Sequence, residues 1–464
     1  MSRLVVIGNG PAAHRLVERL DELGYDGEIT ILGAEARPAY NRVLLPAVLD
    51  GSLGPDAVGL DEPPTGVRVR LGVTVTGIDR ARGLVHTDTG AVHPYDEVVL
   101  ATGAHPRIPA EVAATAGVFP LRTTEDCDGI LRATGNAGQV TVLGAGVLGV
   151  EAALGLVARG LRVTLVHPHQ HPMNRRLDAA GGRVLAEQLS TRGITPYWGR
   201  RVRAYRAPRL ELDDGQELDT AALVVCAGVV PAVEPARAAG LAVNHGVLVD
   251  ERLRTSDPDI HAIGDCAEHA GRTPGLLTSA WEQAEVLAEL LVHPTTRTRY
   301  EPSAEVVRLK ARDLDVAAFG SGAPAEDAEL VTLSDPARAR YARLLLHDDH
   351  VTAAVLLGFD RAIATLTRLC AEGREIPADR LAFLLGTTAR YTGSAEPGPD
   401  TVICRCNTVT RRALSEAFDE GARDVPALAE ITRATTGCGS CTDEVRRLCR
   451  TLVANAATEQ ETAA

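Results

Sequence analysis

The sequence predicts an α/β protein in which two βαβ units are followed by an α+β domain and a small helical segment. Three observations lead there. Two β-branched runs, each ending at a glycine-rich turn and followed by a helix and a second strand, repeat one plan at residues 4 to about 35 and 139 to about 167. From residue 300 to 358 the pattern changes to short alternating strands such as 306–309 and 351–356, and a helical stretch then runs through Leu385. Five of the nine cysteines, Cys404, Cys406, Cys438, Cys441 and Cys449, crowd the region beyond residue 400.

A chain of 464 residues is longer than one core usually serves, which implies about three or four domains. Hydrophobic residues at 45% and charged residues at 23% are the balance of a soluble globular protein, and 3% aromatics leave little to stack on single-stranded nucleic acid. The net charge of −13 repels phosphate backbones and anionic lipid, and no basic patch offsets it. Neither nucleic acid nor a membrane is therefore an expected partner. Met1-Ser2-Arg3 runs straight into Leu4-Val5-Val6-Ile7, too short a run for a signal segment, and no stretch nears the roughly 20 apolar residues of a membrane helix. The expected location is cytoplasmic, with Cys127, Cys226, Cys266 and Cys370 as reduced core thiols.

In the first unit, Gly8-Asn9-Gly10-Pro11-Ala12-Ala13 has the G-x-G-x-x-A form of a phosphate turn: Gly8, Gly10 and Ala13 let a pyrophosphate approach the backbone at a helix N-terminus. The following strand, residues 29–32, ends just before Glu35, a carboxylate placed to accept hydrogen bonds from an adenosine ribose. Residues 97–103 read as a buried strand ending at the turn Thr102-Gly103, and residues 223–228, ending at Gly228, are its counterpart in the second unit.

The second unit carries a complete G-x-G-x-x-G, with Gly144, Gly146 and Gly149 directly after the strand 139–143 and Glu151 on the same helix. Its second strand ends at His167. An acid there favours the free ribose hydroxyls of NAD, and a nearby arginine favours the phosphate of NADP. Histidine satisfies neither rule, so the coenzyme stays open; Arg175 and Arg176 follow a few residues on.

A third segment, Ile260-His261-Ala262-Ile263-Gly264-Asp265, places a carboxylate after an apolar strand and a glycine. With this set in order, residues 1 to about 295 resemble the pyridine-nucleotide flavoprotein reductases, whose fold is two Rossmann-like dinucleotide-binding domains of glutathione-reductase-like type. The resemblance implies FAD in the first unit and NAD(P)H in the second, with Gly264 and Asp265 at the flavin ribityl chain. It makes Arg42, within Pro38-Ala39-Tyr40-Asn41-Arg42-Val43-Leu44-Leu45, an FAD contact. It also makes FAD contacts of Thr102, Gly103, Arg122 on the crossover into the NAD(P)H domain and Trp281 on a helix beside the flavin, and NAD(P)H contacts of Glu151, His167 and Gly228. No cysteine precedes Cys127, so the flavin-adjacent redox cysteines of several family members are missing and electrons must leave by another route.

Cys404-Arg405-Cys406 and Cys438-Gly439-Ser440-Cys441 are C-x-C and C-x-x-C pairs separated by 31 residues. Two close thiolate pairs suit zinc or an iron–sulfur cluster. Zinc has no redox function, whereas a cluster accepts single electrons from a flavoprotein. The surrounding residues, Asn407-Thr408-Val409-Thr410 and Thr436-Gly437, resemble the bacterioferritin-associated-ferredoxin-like [2Fe-2S] domain, which makes Cys404, Cys406, Cys438 and Cys441 the ligands. Cys449 reads as a packed thiol.

The domains expected on this basis are an FAD domain at 1–111 and 240–295, an NAD(P)H domain at 112–239, an α+β interface domain at 296–390, a linker at 391–400, a [2Fe-2S] domain at 401–453 and a disordered tail at 454–464. The combination resembles the N-terminal part of the large subunit of NAD(P)H nitrite reductase and the electron-transfer subunit of assimilatory nitrate reductase, the length favouring the latter. Electrons are then expected to run from NAD(P)H through FAD to the cluster and on to a redox partner protein, with no nitrite chemistry in this chain and no catalytic side chain. Two other readings stay open. One is the flavin and iron–sulfur subunit of an amine, opine or cyanide-producing dehydrogenase; the other is a nicotinamide-sensing flavoprotein with a zinc-held docking module.

Overall fold

The computed structural model describes residues 2–113, 115–135, 138–309, 311, 314–320, 327–387, 398–404, 407, 409–436 and 441–462. The chain packs as two compact units, Met1–Val43 with Gly54–Arg107 and Val229–Pro302, and Leu44–Leu53 with Ile108–Gly228 and Ser303–Ala464.

The first unit is built on a parallel sheet in the order Ile260–Ala262, Glu97–Leu100, Arg3–Ile7, Glu28–Gly33 and Arg68–Leu71. The unbroken apolar run at 4–7 is explained by burial on both faces. Leu4 and Val6 face Leu16, Val17 and Leu20 of the helix Pro11–Glu22 and Ala284, Leu287 and Ala288 of the helix Leu277–Val292. Val5 and Ile7 face the opposite layer, with Ile78, Val85, Leu241 and Val247.

The second unit repeats the plan with a parallel sheet in the order Ile194–Trp198, Arg162–His167, Gln139–Leu143, Ala222–Val225 and Val118–Pro120. Its central residues Val140, Val142, Leu165 and Val224 are fully buried. The short helix Leu45–Asp50 belongs to this unit rather than to the one that flanks it in sequence. Arg159, at the end of the helix Val147–Ala158, donates to the carbonyls of Val48, at 3.2 Å, and Leu49, adding to the bond that Val48 O accepts from the C-cap Gly51 N.

An antiparallel sheet follows, ordered Val306–Leu309, Val316–Phe319, His350–Leu357, Arg340–His347 and Glu329–Asp335. The helices Asp360–Ala371 and Arg380–Leu385 close its core through Ile363, Leu366, Leu369 and Phe383. Asp178 fastens this sheet to the helix Ala179–Thr191: it caps that helix through Gly181 N at 2.8 Å and accepts from Tyr341 Oη at 2.6 Å and Arg343 at 3.3 Å.

The C-terminal part is a hairpin, Val402–Cys404 against Val409–Thr410, with three helices, Arg411–Asp419, Val425–Thr432 and Thr442–Thr462. Thr410 and Asp424 cap the first two by accepting from Ala413 N and Ala427 N. The last helix runs through Thr462, over residues for which the sequence reading expects a tail from 454. Ala454, Ala456, Ala457, Glu459, Gln460 and Glu461 are strong helix formers that propagate a helix already nucleated upstream. Most of the expected linker, residues 391–397, lies outside the described residues. Among the described residues no helix is long and apolar enough to cross a membrane.

Candidate functional site

The two glycine turns are made by the same backbone device. Gly8 and Gly144 have φ of +115° and +103°, a region that L-residues with a side chain rarely adopt. A Cβ on Gly8 would overlap the Ala101 carbonyl, and one on Gly144 the Cys226 carbonyl, so each turn lies directly against the neighbouring parallel strand. Gly149 packs its Cα on the Gly144 carbonyl, and any side chain there would push the helix off the turn.

Gly10 and Gly146 differ, since nothing lies within 4 Å of where their Cβ would stand. Both are N-caps of their helices, and neither helix has a side-chain cap. The helices starting after Thr123, Asp178, Thr410 and Asp424 all use their side chains as caps. Uncapped first-turn amides facing open space are a phosphate cradle, carrying the positive end of the helix dipole. A pyrophosphate therefore fits at both turns. Ala13, on the first helix, is fully buried and lets it pack against the sheet.

In the first unit, Glu35 and Arg42 come together as an ion pair, and Tyr40 joins them: its hydroxyl donates to Glu35 Oε2 at 2.7 Å and accepts from Arg42 Nη1 at 2.7 Å. The Arg42 guanidinium also lies over the Tyr40 ring, 4.7 Å from its centroid. Sequence reading missed Tyr40, although its place five residues after the acid and two before the arginine was visible.

Thr102 Oγ1 donates to the Ala232 carbonyl at 2.6 Å, and Gly103 O accepts from Ala232 N at 2.9 Å, fixing the turn at the end of the strand Glu97–Leu100. Gly264 and Asp265 form a short 3-10 turn after the strand Ile260–Ala262. The buried Gln283 positions it by accepting from Gly264 N at 2.7 Å through Oε1. Gln283 was not read from the sequence; a polar residue on the apolar face shared by Ala280, Ala284 and Leu287 was its signal. Two residues before it, buried Trp281 donates from Nε1 to Pro11 O at 3.2 Å, joining the helix Leu277–Val292 to the first phosphate turn. Arg122 lies in the second unit, beside the capping box that Thr123 and Asp126 form at the start of the helix Thr124–Thr134.

At the second turn, His167 is buried at the end of its strand. Its Nδ1 accepts from Ala145 N at 3.1 Å, which leaves Nε2–H to donate to Asn174 Oδ1 at 3.0 Å. Burial lowers its pKa to about 4, so the ring is neutral at pH 7. Glu151 is buried on the adjoining helix, and Gly228 turns the chain with φ +94° beyond the strand Ala222–Val225. Arg176 is engaged by Glu305 at 2.6 Å, whereas Arg175 is exposed.

The thiols of Cys127 and Cys226 are pushed up to about 12, and that of Cys266 is raised, in each case by burial first. They are packed thiols with little thiolate character. In the C-terminal part Cys404 and Cys441 are both buried, one at the end of a strand and the other immediately before a helix. Cys406 and Cys438 lie outside the described residues. Two buried soft donors on separate elements fit a cluster that four thiolates hold. Cys449 is buried too, and its Sγ donates to Arg423 O at 3.4 Å.

Residues 2–284 match the pyridine nucleotide-disulphide oxidoreductase family, and residues 402–450 match the BFD-like [2Fe-2S] binding domain. The chain is 33% identical over 459 residues to an assimilatory nitrate reductase electron transfer subunit from Bacillus subtilis (strain 168), covering 97% of this chain and 59% of that one. It is 31% identical over 453 residues to a nitrite reductase [NAD(P)H] from the same organism, covering 95% and 56%. The chain thus spans a little over half the length of both relatives, and length does not choose between them. Among solved structures, the ferredoxin reductase for the CYP199A2 system from Rhodopseudomonas palustris superposes with a TM-score of 0.74 at 25% identity, over 84% of this chain and 100% of that one. The chain belongs to the pyridine nucleotide-disulphide oxidoreductase family of FAD- and NAD(P)H-dependent oxidoreductases, and it joins to that fold a BFD-like [2Fe-2S] binding domain.

Proposed function

We propose that the chain takes electrons from NAD(P)H at FAD, passes them to a [2Fe-2S] cluster and delivers them to a cytoplasmic partner, the catalytic part of an assimilatory nitrate or nitrite reductase. The observation that carries this reading is the presence, in one chain, of two uncapped glycine turns shaped for pyrophosphate and a paired-cysteine domain. The likeness to the nitrate and nitrite reductase relatives runs across all of these parts.

When bound, FAD accepts hydride and releases electrons singly, and the cluster carries one electron at a time. The protein supplies binding and orientation. Gly8, Gly10 and Ala13 admit the FAD pyrophosphate to the first helix, Glu35 accepts from the adenosine ribose while Arg42 and Tyr40 hold its carboxylate, and Asp265 receives the ribityl hydroxyls. Gly144, Gly146 and Gly149 do the same for NAD(P)H, with His167 beside its adenosine ribose. Cys404, Cys406, Cys438 and Cys441 hold the cluster iron.

The test is anaerobic titration of cluster-replete protein with NADH and then NADPH, following flavin and iron–sulfur absorption and sampling for electron paramagnetic resonance. Flavin bleaching followed by a reduced [2Fe-2S] signal is the expected result. Flavin bleaching with zinc in place of iron and sulfide would replace the conduit with a docking module.

A further inference from the structure

We infer that Asn407 is a positioning residue that latches the two cysteine pairs together before and after the cluster binds. The inference rests on the reading of those cysteines as cluster ligands. Asn407 directly follows Cys406, and the turn it contacts, 433–436, ends two residues before Cys438. Its side chain therefore ties together the two ends of the 31-residue interval that separates the C-x-C from the C-x-x-C pair.

The bonding has one self-consistent arrangement. Asn407 Nδ2 donates to Arg433 O and, at 3.0 Å, to Thr436 Oγ1. Thr436 Oγ1 in turn donates to Arg433 O at 2.8 Å while its oxygen accepts from the Asn407 amide. The Arg433 carbonyl can only accept, so the atom facing it is the amide NH2, whose second N–H reaches Thr436 Oγ1. This fixes which way the amide points and separates asparagine from aspartate at this position.

The turn has a reason to need a latch. Arg433 and Thr435 are non-glycine residues at φ +62° and +72°, left-handed backbone that L side chains disfavour. Arg433 ends the helix Val425–Thr432, and its carbonyl is the one that Asn407 and Thr436 both hold. On the other side, the hairpin that carries Asn407 is pinned by the pairing of Cys404 with Val409. A strained turn leading to one ligand pair is in this way held to a paired hairpin bearing the other. Preorganisation of this kind lowers the ordering cost of metal binding and slows ligand loss.

The test uses the full chain with FAD bound, as Asn407→Ala, Asn407→Asp and Thr436→Val. Iron and acid-labile sulfide per FAD are measured after anaerobic reconstitution, along with the rate at which a chelator bleaches the cluster and the line shape of the reduced signal. Each lost hydrogen bond is expected to speed cluster loss on the order of fivefold. Thr436→Val and Asn407→Ala each remove two of the three hydrogen bonds and should speed cluster loss to a similar degree, and Asn407→Asp should also be faster than wild type because its carboxylate would face the Arg433 carbonyl. FAD content and bleaching of the flavin by NAD(P)H should stay at wild-type levels, which separates a local effect from misfolding. Wild-type bleaching rates and line shapes in Asn407→Ala and Asn407→Asp would overturn the latch while leaving the cluster reading intact. A wild-type chain that takes up no iron and sulfide would overturn both.

Discussion

The main-chain N–H of Ala145, in the second glycine turn, donates to Nδ1 of His167 at 3.1 Å. The bond exists only while the ring is neutral at that nitrogen, and it joins the second glycine turn to the end of the strand Arg162–His167.

A pH dependence of stability follows. Burial lowers the His167 pKa from 6.5 to about 4, so between those values the unfolded chain binds a proton that the folded chain does not. Stability is full above pH 6.5 and falls as the pH drops toward 4. His261, likewise buried and lowered to about 4, acts in the same direction in the first unit. Urea unfolding at pH 7.5, 6 and 5 should show the decline, and His167→Gln should make it shallower while the His261 share remains; an unchanged slope in that variant would assign the dependence to other groups.

The four turn glycines divide into two classes. Gly10→Ala and Gly146→Ala place a methyl in open space at backbone angles any residue adopts, so the melting temperature should stay within about 2 °C of wild type. The methyl would meet the incoming pyrophosphate, and affinity for FAD or NAD(P)H respectively should fall about tenfold or more. Gly8→Ala and Gly144→Ala instead strain the backbone and strike a neighbouring carbonyl, and should lower the melting temperature as well. Differential scanning calorimetry beside flavin-retention and coenzyme titrations tells the two classes apart.

Tyr40 stands between Glu35 and Arg42. Tyr40→Phe removes both hydroxyl bonds but leaves the ion pair, for a loss of about 1–2 kcal/mol in FAD binding. Arg42→Ala should cost more, because it also frees the Glu35 carboxylate from its orientation. The flavin-to-protein ratio after gel filtration should fall in the order wild type, Tyr40→Phe, Arg42→Ala.

Asp178 serves the helix Ala179–Thr191 and the antiparallel sheet together. Tyr341→Phe deletes one of its bonds and should cost about 1 kcal/mol, whereas Asp178→Ala removes the cap and leaves the hydroxyl of buried Tyr341 and the half-buried Arg343 guanidinium without this acceptor, for about 2–4 kcal/mol. Urea midpoints of the two variants measure the difference.

The sequence by itself determined the two βαβ units, the glycines at 8, 10, 144, 146 and 149, and the spacing of the terminal cysteines, because each is a local code. Short continuous apolar runs bounded by turn residues make strands buried on both faces, and small residues at fixed offsets make a turn that a phosphate can approach. Only the tertiary structure decided which side chains complete each site: Gln283 on the Gly264 amide, Asn174 on His167, Asn407 on the turn 433–436, and the packing of Leu44–Leu53 in the second unit. Gln283 and Asn407 meet partners 19 to 29 residues away, and the hydrogen bond that forms depends on how whole elements pack and on which donors and acceptors that packing leaves facing each other. Periodicity and motif spacing record neither.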